Sequence, residues 1–256
     1  MPVSMAGEHR TVSRVTTILE RVAADHTGVR LTELAAVLDA PRSSVHGLVK
    51  GLVATGYLRE EDGAYLLGPA VGALLMAAPP TLDLTARPEM EKLHRQFDET
   101  VMLASQVGDS VVYTNAIEST RVIRYSALLH TRRPLYPTSA GKCILAFAPA
   151  RMRENYLATH IAEAERQELV RRELTEIAVT GVAANRGETE PDDSGVASPI
   201  LIGDQVASVI CVSGPTSRIL DHLDEIAAAT KEAANAISER LPGARNQLEP
   251  RETDTR

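Results

Sequence analysis

The sequence predicts an α+β fold in two parts, on three observations. Near the N-terminus, three short helical stretches precede two strand-like stretches that meet at Asp62-Gly63. From about residue 100 onward, strand-like apolar segments alternate with helices. Between the two parts runs an alanine-rich apolar stretch, Ala70 to Ala78, stopped by Pro79-Pro80. A chain of 256 residues is long enough to bury a core in each part.

Thr11 to Ala24 reads as a helix because Val12, Val15, Ile18, Leu19 and Val22 recur at three- and four-residue spacing. "HTGVR" breaks it. Thr32 is placed to cap a second helix that buries Leu34, Ala35 and Leu38. Asp39-Ala40-Pro41 makes a tight turn, with Pro41 suited to the entry of a third helix. In that helix Val45, Leu48, Val49, Leu52 and Val53 form the buried stripe, and Ser43, His46, Gly47 and Lys50 lie opposite it. Gly56 is the C-terminal stop. Tyr57–Arg59 and Ala64–Leu67 then pair as strands over the Asp62-Gly63 hairpin signal. Three helices and a hairpin, with a short turn between helices two and three, is the order of a winged helix-turn-helix, a DNA-binding module. It takes up residues 1–67, and residues 68–80 form a linker helix too apolar to stand alone in water.

Residues 81–241 read as the α+β part. A helix over Pro88–Asp98 leads into strands at Val101–Val107 and Val111–Ala116, turning at Gly108-Asp109, with a third candidate strand at Arg121–Ser126. Ser139–Ala148 is a short helix ended by Pro149, followed by helices near Arg151–His160 and Glu163–Ala178. "NRGETEPDDSG" reads as a polar loop. Val196–Ile202 and Gln205–Ser213 form a hairpin over Gly203-Asp204, and Pro215–Leu241 is one long helix with Ile219, Leu223, Ile226, Ala227 and Ile237 on its apolar side. Residues 242–256 are polar and read as a disordered tail.

Composition narrows the function. Net charge is −7, but residues 1–67 hold seven Arg or Lys against eight Asp or Glu, and residues 40–59 hold three bases and no acid. That local patch can face phosphates. The longest apolar run is too short to span a bilayer, and the first residues show no apolar signal segment, so no membrane partner is expected. Cys143 and Cys211 stand far apart without metal-ligand spacing. A disulfide framework or zinc site is not expected, and a cytoplasmic location fits. The seven histidines show no metal spacing. "SAGKC" fails as a phosphate loop, because Tyr136 stands where glycine is required and Cys143 where Ser or Thr should bind magnesium. "CVSGP" fails as a serine nucleophile elbow, because Cys211 and Pro215 replace its glycines. No catalytic residue, metal or cofactor is assigned. Tryptophan is absent and aromatics make up 3 %, which argues against a single-strand stacking platform.

The order of winged helix, linker helix, "LYPTSAGKCILAF", "GVASPIL" and "VASVICVSGPTSRI" resembles the IclR-type bacterial transcription regulators from about Val12 to Leu241. Its most specific piece is Ser213-Gly214-Pro215-Thr216-Ser217-Arg218, spaced behind "TSAGK". The resemblance implies a GAF-like C-terminal domain with a central antiparallel sheet that binds a small effector, and assembly as a homodimer or homotetramer on double-stranded operator DNA. By position it implies effector contacts at Ser139, Ala140 and Gly141, where the short helix starts, and at Asn185, Gly195, Cys211 and Ser213. The chain also departs from the pattern. Gly47 stands where relatives carry arginine, Asp39 where the turn has glycine, Asn185 where an aspartate is usual, and the wing tip Glu60-Glu61-Asp62 is acidic.

The DNA-contacting residues expected are Arg42, Ser43, Ser44, His46 and Lys50, with Arg14 adding a phosphate contact. The plainer reading is a solvated helix face, and for Ser139 an ordinary helix cap. The expected function is a DNA-binding regulator, a repressor by sign, controlled by a small acidic or aromatic metabolite. A ligand-independent DNA-binding protein whose C-terminal domain only oligomerises, and an enzyme with an appended winged helix, stay open.

Overall fold

A computed structural model of the chain describes residues 9–25, 27–77 and 81–241. The polar tail, Ala78 and the Pro79-Pro80 stop lie outside the described residues. The chain divides into two compact units, Met1–Pro79 and Pro80–Arg256.

The first unit runs α1 (Arg10–Ala23), β1 (Val29–Arg30), α2 (Leu31–Val37), α3 (Arg42–Ala54), β2 (Leu58–Glu61), β3 (Ala64–Leu67) and α4 (Pro69–Ala77). Its core gathers Ile18 and Val22 from α1, Leu34 from α2, Val45 and Val49 from α3, and Leu58 and Tyr65 from the wing. Each such fully buried aliphatic side chain contributes about 1.5–3 kcal/mol by leaving water. Val12, expected on the inner stripe of α1, is exposed, because the stripe meets its partners only from the middle of the helix onward. Thr32 does not cap α2. Arg30 holds the N-cap position without a side-chain bond, because the chain enters α2 directly from β1. That two-residue strand, which the "HTGVR" break does not announce, pairs antiparallel with β3 and gives a three-stranded sheet in the order β1-β3-β2. The turn between α2 and α3 forms as expected, with Asp39 at φ +43°. The hairpin turn Asp62-Gly63 takes φ +50° and +73°, the mirror-image turn that matches strand twist.

The second unit is built on a six-stranded antiparallel sheet in the order β6-β5-β4-β9-β8-β7. Its elements are α5 (Thr81–Phe97), β4 (Thr100–Val107), β5 (Ser110–Ile117), β6 (Arg132–Pro134), α6 (Ser139–Phe147), α7 (Ala150–His160), α8 (Ala164–Thr180), β7 (Ala183–Glu190), β8 (Asp193–Ile202), β9 (Gln205–Pro215), α9 (Thr216–Asp221) and α10 (Leu223–Arg240). Strand alternation divides the apolar residues between two layers. Val101 and Leu103 of β4, Val196 and Ile200 of β8, and Ile210 and Val212 of β9 face α5 and α10. Met102 and Ala104, Tyr113 of β5, Ala197 and Cys211 face α6 and α8.

Four expectations for this unit are corrected. The helix read from Pro88 begins at Thr81, with Pro88 inside it. Ala86, Met90 and Leu93 bury one continuous face there, and that packing outweighs the lost backbone bond. Residues 121–126 are not a strand; the third strand of that half is Arg132–Pro134. The polar "NRGETEPDDSG" is strand for much of its length, because Asn185–Glu190 extend β7 and β8 starts at Asp193. The single helix read over Pro215–Leu241 is two, broken at His222 with φ −122° and ψ 23°.

Candidate functional site

The outer face of α3 carries the residues singled out for DNA. Arg42, Ser43, Ser44, His46 and Lys50 are all exposed, and Arg14 is half-buried on α1. Val45 and Val49 are fully buried, so the helix is fixed from below and free above. Side chains built at Gly47 or Gly51 would meet nothing within 4 Å. No side chain caps the N-terminus of α3, which leaves first-turn N–H groups open beside Arg42 and Ser43. The basic patch of residues 40–59 is weaker than its count of bases. Lys50 Nζ lies 2.9 Å from Glu60 Oε2, and Arg59 pairs with Glu61. The hydrogen bond that Lys50 donates to Glu60, then the Glu60 charge, pushes the Lys50 ammonium pKa up. Arg42 has no such carboxylate partner among the described residues. Wing register brings the acids to the bases, a long-range pairing that helical periodicity does not carry.

In the second unit, the N-terminus of α6 is fixed by Thr138, whose Oγ1 accepts from Gly141 N at 3.1 Å. Thr138, not Ser139, is therefore the cap. Ser139, Ala140 and Gly141 are all buried. A side chain at Gly141 would collide with the Leu135 carbonyl, so only glycine lets α6 pass that close to the preceding chain. Gly195 pairs with Ser213 across β8 and β9. A Cβ on Gly195 would lie 2.5 Å from Ser213 Oγ and 3.4 Å from Ser139 Oγ, so these three predicted residues do converge.

The other two predicted effector residues behave differently. The Asn185 amide nitrogen donates to Pro137 O at 2.8 Å and Thr189 Oγ1 at 2.7 Å, and its oxygen accepts from Glu188 N at 3.2 Å. Its donors are spent on holding β7 against the segment before α6. Cys211 is fully buried, and burial, then the neighbouring Cys143, pushes its thiol well up. The Cys143 thiol is pushed up to about 12 by burial and donates to Ala197 O at 3.3 Å. Neither sulfur is a thiolate at neutral pH, which removes the nucleophile chemistry that a cysteine in this place could otherwise offer.

Three features went unread in the sequence. Lys142 is 1 % exposed; it ion-pairs with Glu173 at 2.6 Å and with Glu188, and donates to Ala184 O at 3.0 Å. It pins α6 to α8 and β7, and its burial is tolerable only because every proton has an acceptor. Arg218 of the "SR" pair donates to Glu99 Oε2 at 2.8 Å and to Ile123 O at 3.0 Å. With Thr100, whose hydroxyl donates to Tyr125 O at 2.6 Å, it holds the loop over residues 118–131 in place. Under that loop lies a cavity of about 440 Å³ whose lining includes Ile123, Tyr125, Glu190, Asp192, Asp193 and Pro215. Asp193 begins β8 on the same face as Gly195 and Ala197, two and four residues on. Its Oδ1 is buried and receives no hydrogen bond. Desolvation raises its carboxyl to about 7, against the pull of Arg133 and with a push from Glu190.

Residues 11–62 match the IclR helix-turn-helix domain, and residues 81–239 match the bacterial transcriptional regulator IclR C-terminal domain. The chain belongs to the IclR family of bacterial transcriptional regulators. It is 30 % identical over 247 residues to the HTH-type transcriptional regulator BhcR of Paracoccus denitrificans, covering 91 % of this chain and 88 % of that one. An IclR transcriptional regulator from Silicibacter superposes with a TM-score of 0.75 at 25 % identity, over 90 % of this chain and 95 % of that one. An IclR homologue of Microbacterium hydrocarbonoxydans, complexed with 4-hydroxybenzoate, shares the fold with a TM-score of 0.73 at 24 % identity, over 89 % and 97 % of the two chains. The IclR-type chain is thus a DNA-binding transcriptional regulator rather than an enzyme. Among the described residues, no helix is long and apolar enough to cross a membrane.

Proposed function

We infer that the chain is a cytoplasmic repressor whose operator binding is controlled by a small aromatic or acidic metabolite held in the second unit. Recognition helices of a homodimer, or of dimers paired as a homotetramer, read half-sites of a roughly palindromic operator. The observation that carries the reading is α3, fixed by a buried stripe and bare on the opposite side, within a matched IclR helix-turn-helix domain. Arg42, Ser43, Ser44, His46 and Lys50 form the reading face, and Arg14 adds a backbone contact.

Convergence of Ser139, Gly195 and Ser213 beside α6 supports an effector site in the second unit. That the Microbacterium homologue is complexed with 4-hydroxybenzoate supports a one-ring organic molecule as the kind of effector. The effector acts only through its different affinity for the two arrangements of the protein, and DNA must change effector affinity by the same factor.

The test uses a duplex selected by the protein from a random-sequence pool, with binding followed by fluorescence anisotropy. Arg42→Ala is expected to weaken binding several-fold and to lower the slope of log affinity against log salt by about one. Unchanged affinity across the salt series would remove α3 from the interface.

A further inference from the structure

We propose that the cavity under the 118–131 loop receives the ammonium group of a small aromatic amine, with Asp193 as its counter-ion. The proposal rests on the reading of the second unit as an effector domain and names the chemical class of the effector.

The first observation is the unmet acceptor. Buried carboxylate oxygens are nearly always hydrogen-bonded, and leaving one without a donor is costly. Asp193 Oδ1 receives no donor from the protein, yet Asp193 lines a cavity large enough for a one-ring ligand. Oδ1 is closed to solvent in this arrangement, so a ligand's donor reaches it only when the Asp193 side chain turns toward the cavity.

The second observation is the charge of the walls. Glu190, Asp192 and Asp193 line the cavity, and the single cation in its lining, Arg124, already donates to Glu118 Oε2 at 3.0 Å. Arg133 acts on Asp193 through space and not through a contact. A ligand carboxylate would enter against three acidic side chains, whereas an ammonium is attracted by all three. Among the described residues, no three His, Cys, Asp or Glu side chains are placed to hold a metal ion. The carboxylates are thus matched here to an ammonium.

The third observation is the apolar wall. Ile123, Tyr125 and Pro215 line the same cavity and supply a slot for a ring, and Tyr125 adds a π-face to the charge. Tyr113 and Tyr125 are neutral at these pH values, and burial pushes their phenols up further, so they do not compete as counter-ions. This charge pattern selects the aromatic branch of the effector reading over the acidic one.

Asp193 must be ionised to serve. Burial sets its carboxyl to about 7, against the pull of Arg133 and with a push from Glu190, and the neutral phenols of Tyr113 and Tyr125 lie close by. Tyramine, whose amine stays protonated throughout, is then expected to bind about tenfold more tightly at pH 8 than at pH 6.

The experiment measures binding of tyramine and of 4-hydroxyphenylacetate to the full chain by titration calorimetry at both pH values. It is repeated on Asp193→Asn, which keeps the side-chain shape. The expected result is tyramine binding that Asp193→Asn abolishes, and weaker or no binding of the acid. No tyramine binding at pH 8, equal binding by the variant, or tighter binding of the acid would each overturn the proposal. Anisotropy with the selected duplex separates this failure from that of the effector reading. Tyramine binding through Asp193 with unchanged DNA affinity upholds the site and removes the effector role. An acid that binds more tightly and does change DNA affinity removes the amine and keeps that role.

Discussion

Lys50 and Glu60 stand ten residues apart in the chain and 2.9 Å apart in space. The pair is exposed, so it adds little to stability, but it decides how much positive charge α3 presents. Glu60→Gln is expected to free Lys50, tighten duplex binding and steepen the salt slope by about one, read by anisotropy over a salt series. A slope equal to that of the parent would mean that Lys50 stays off the phosphates. Asp193 carries a different consequence. Its carboxyl sits at about 7 in the folded chain, against about 3.9 in the unfolded one. Between roughly pH 4 and 7 the folded state therefore keeps a proton that the unfolded state has released, and stability falls as pH rises through that window. Urea titrations across the window should show this fall in the parent and a shallower one in Asp193→Asn; parallel curves would refute it. Neither the Lys50–Glu60 pair nor the burial of Asp193 was legible in the sequence. Each depends on neighbours delivered by strand pairing, which a linear pattern does not carry.

At the scale of elements, legibility tracked burial. The α3 stripe and the Asp62-Gly63 turn were readable because one buried face and one turn type leave few alternatives. The edges of the large sheet were not. β7 lies at one edge, and its outer half is exposed, so its charged residues are what an edge strand needs and also what a loop looks like. β6 lies at the other edge, where Pro134 does no harm, while the more strand-like residues 121–126 are held as loop by Arg218 and Thr100. The candidate effector site was half legible. Motif positions named Ser139, Gly195 and Ser213, which the fold brings together, and Asn185, whose amide is tied to Pro137 and Thr189. Helix α6 offers a direct test of close approach. Gly141→Ala forces a Cβ into the Leu135 carbonyl and should destabilise the second unit by at least about 1–3 kcal/mol in urea unfolding. A neutral effect would mean that α6 can shift outward without cost.

For the whole molecule, the proposed reading of a palindromic operator needs two subunits held as a pair. Helix α4 is apolar along its length, and Leu74 is 59 % exposed. Leu74→Glu is expected to split the dimer and to abolish operator binding, seen by sedimentation together with anisotropy. A stable dimer with full DNA affinity would place the subunit contact elsewhere. The thinness of the reading face has its own consequence at this scale. At Gly47 and Gly51 any side chain would extend into open space, and most would suit a helix better than glycine does. Two positions on the exposed face of α3 can therefore change identity without disturbing the core beneath. A lineage carrying this fold could acquire a new target sequence by single substitutions that the fold tolerates, which makes α3 an unusually open starting point for divergence after gene duplication.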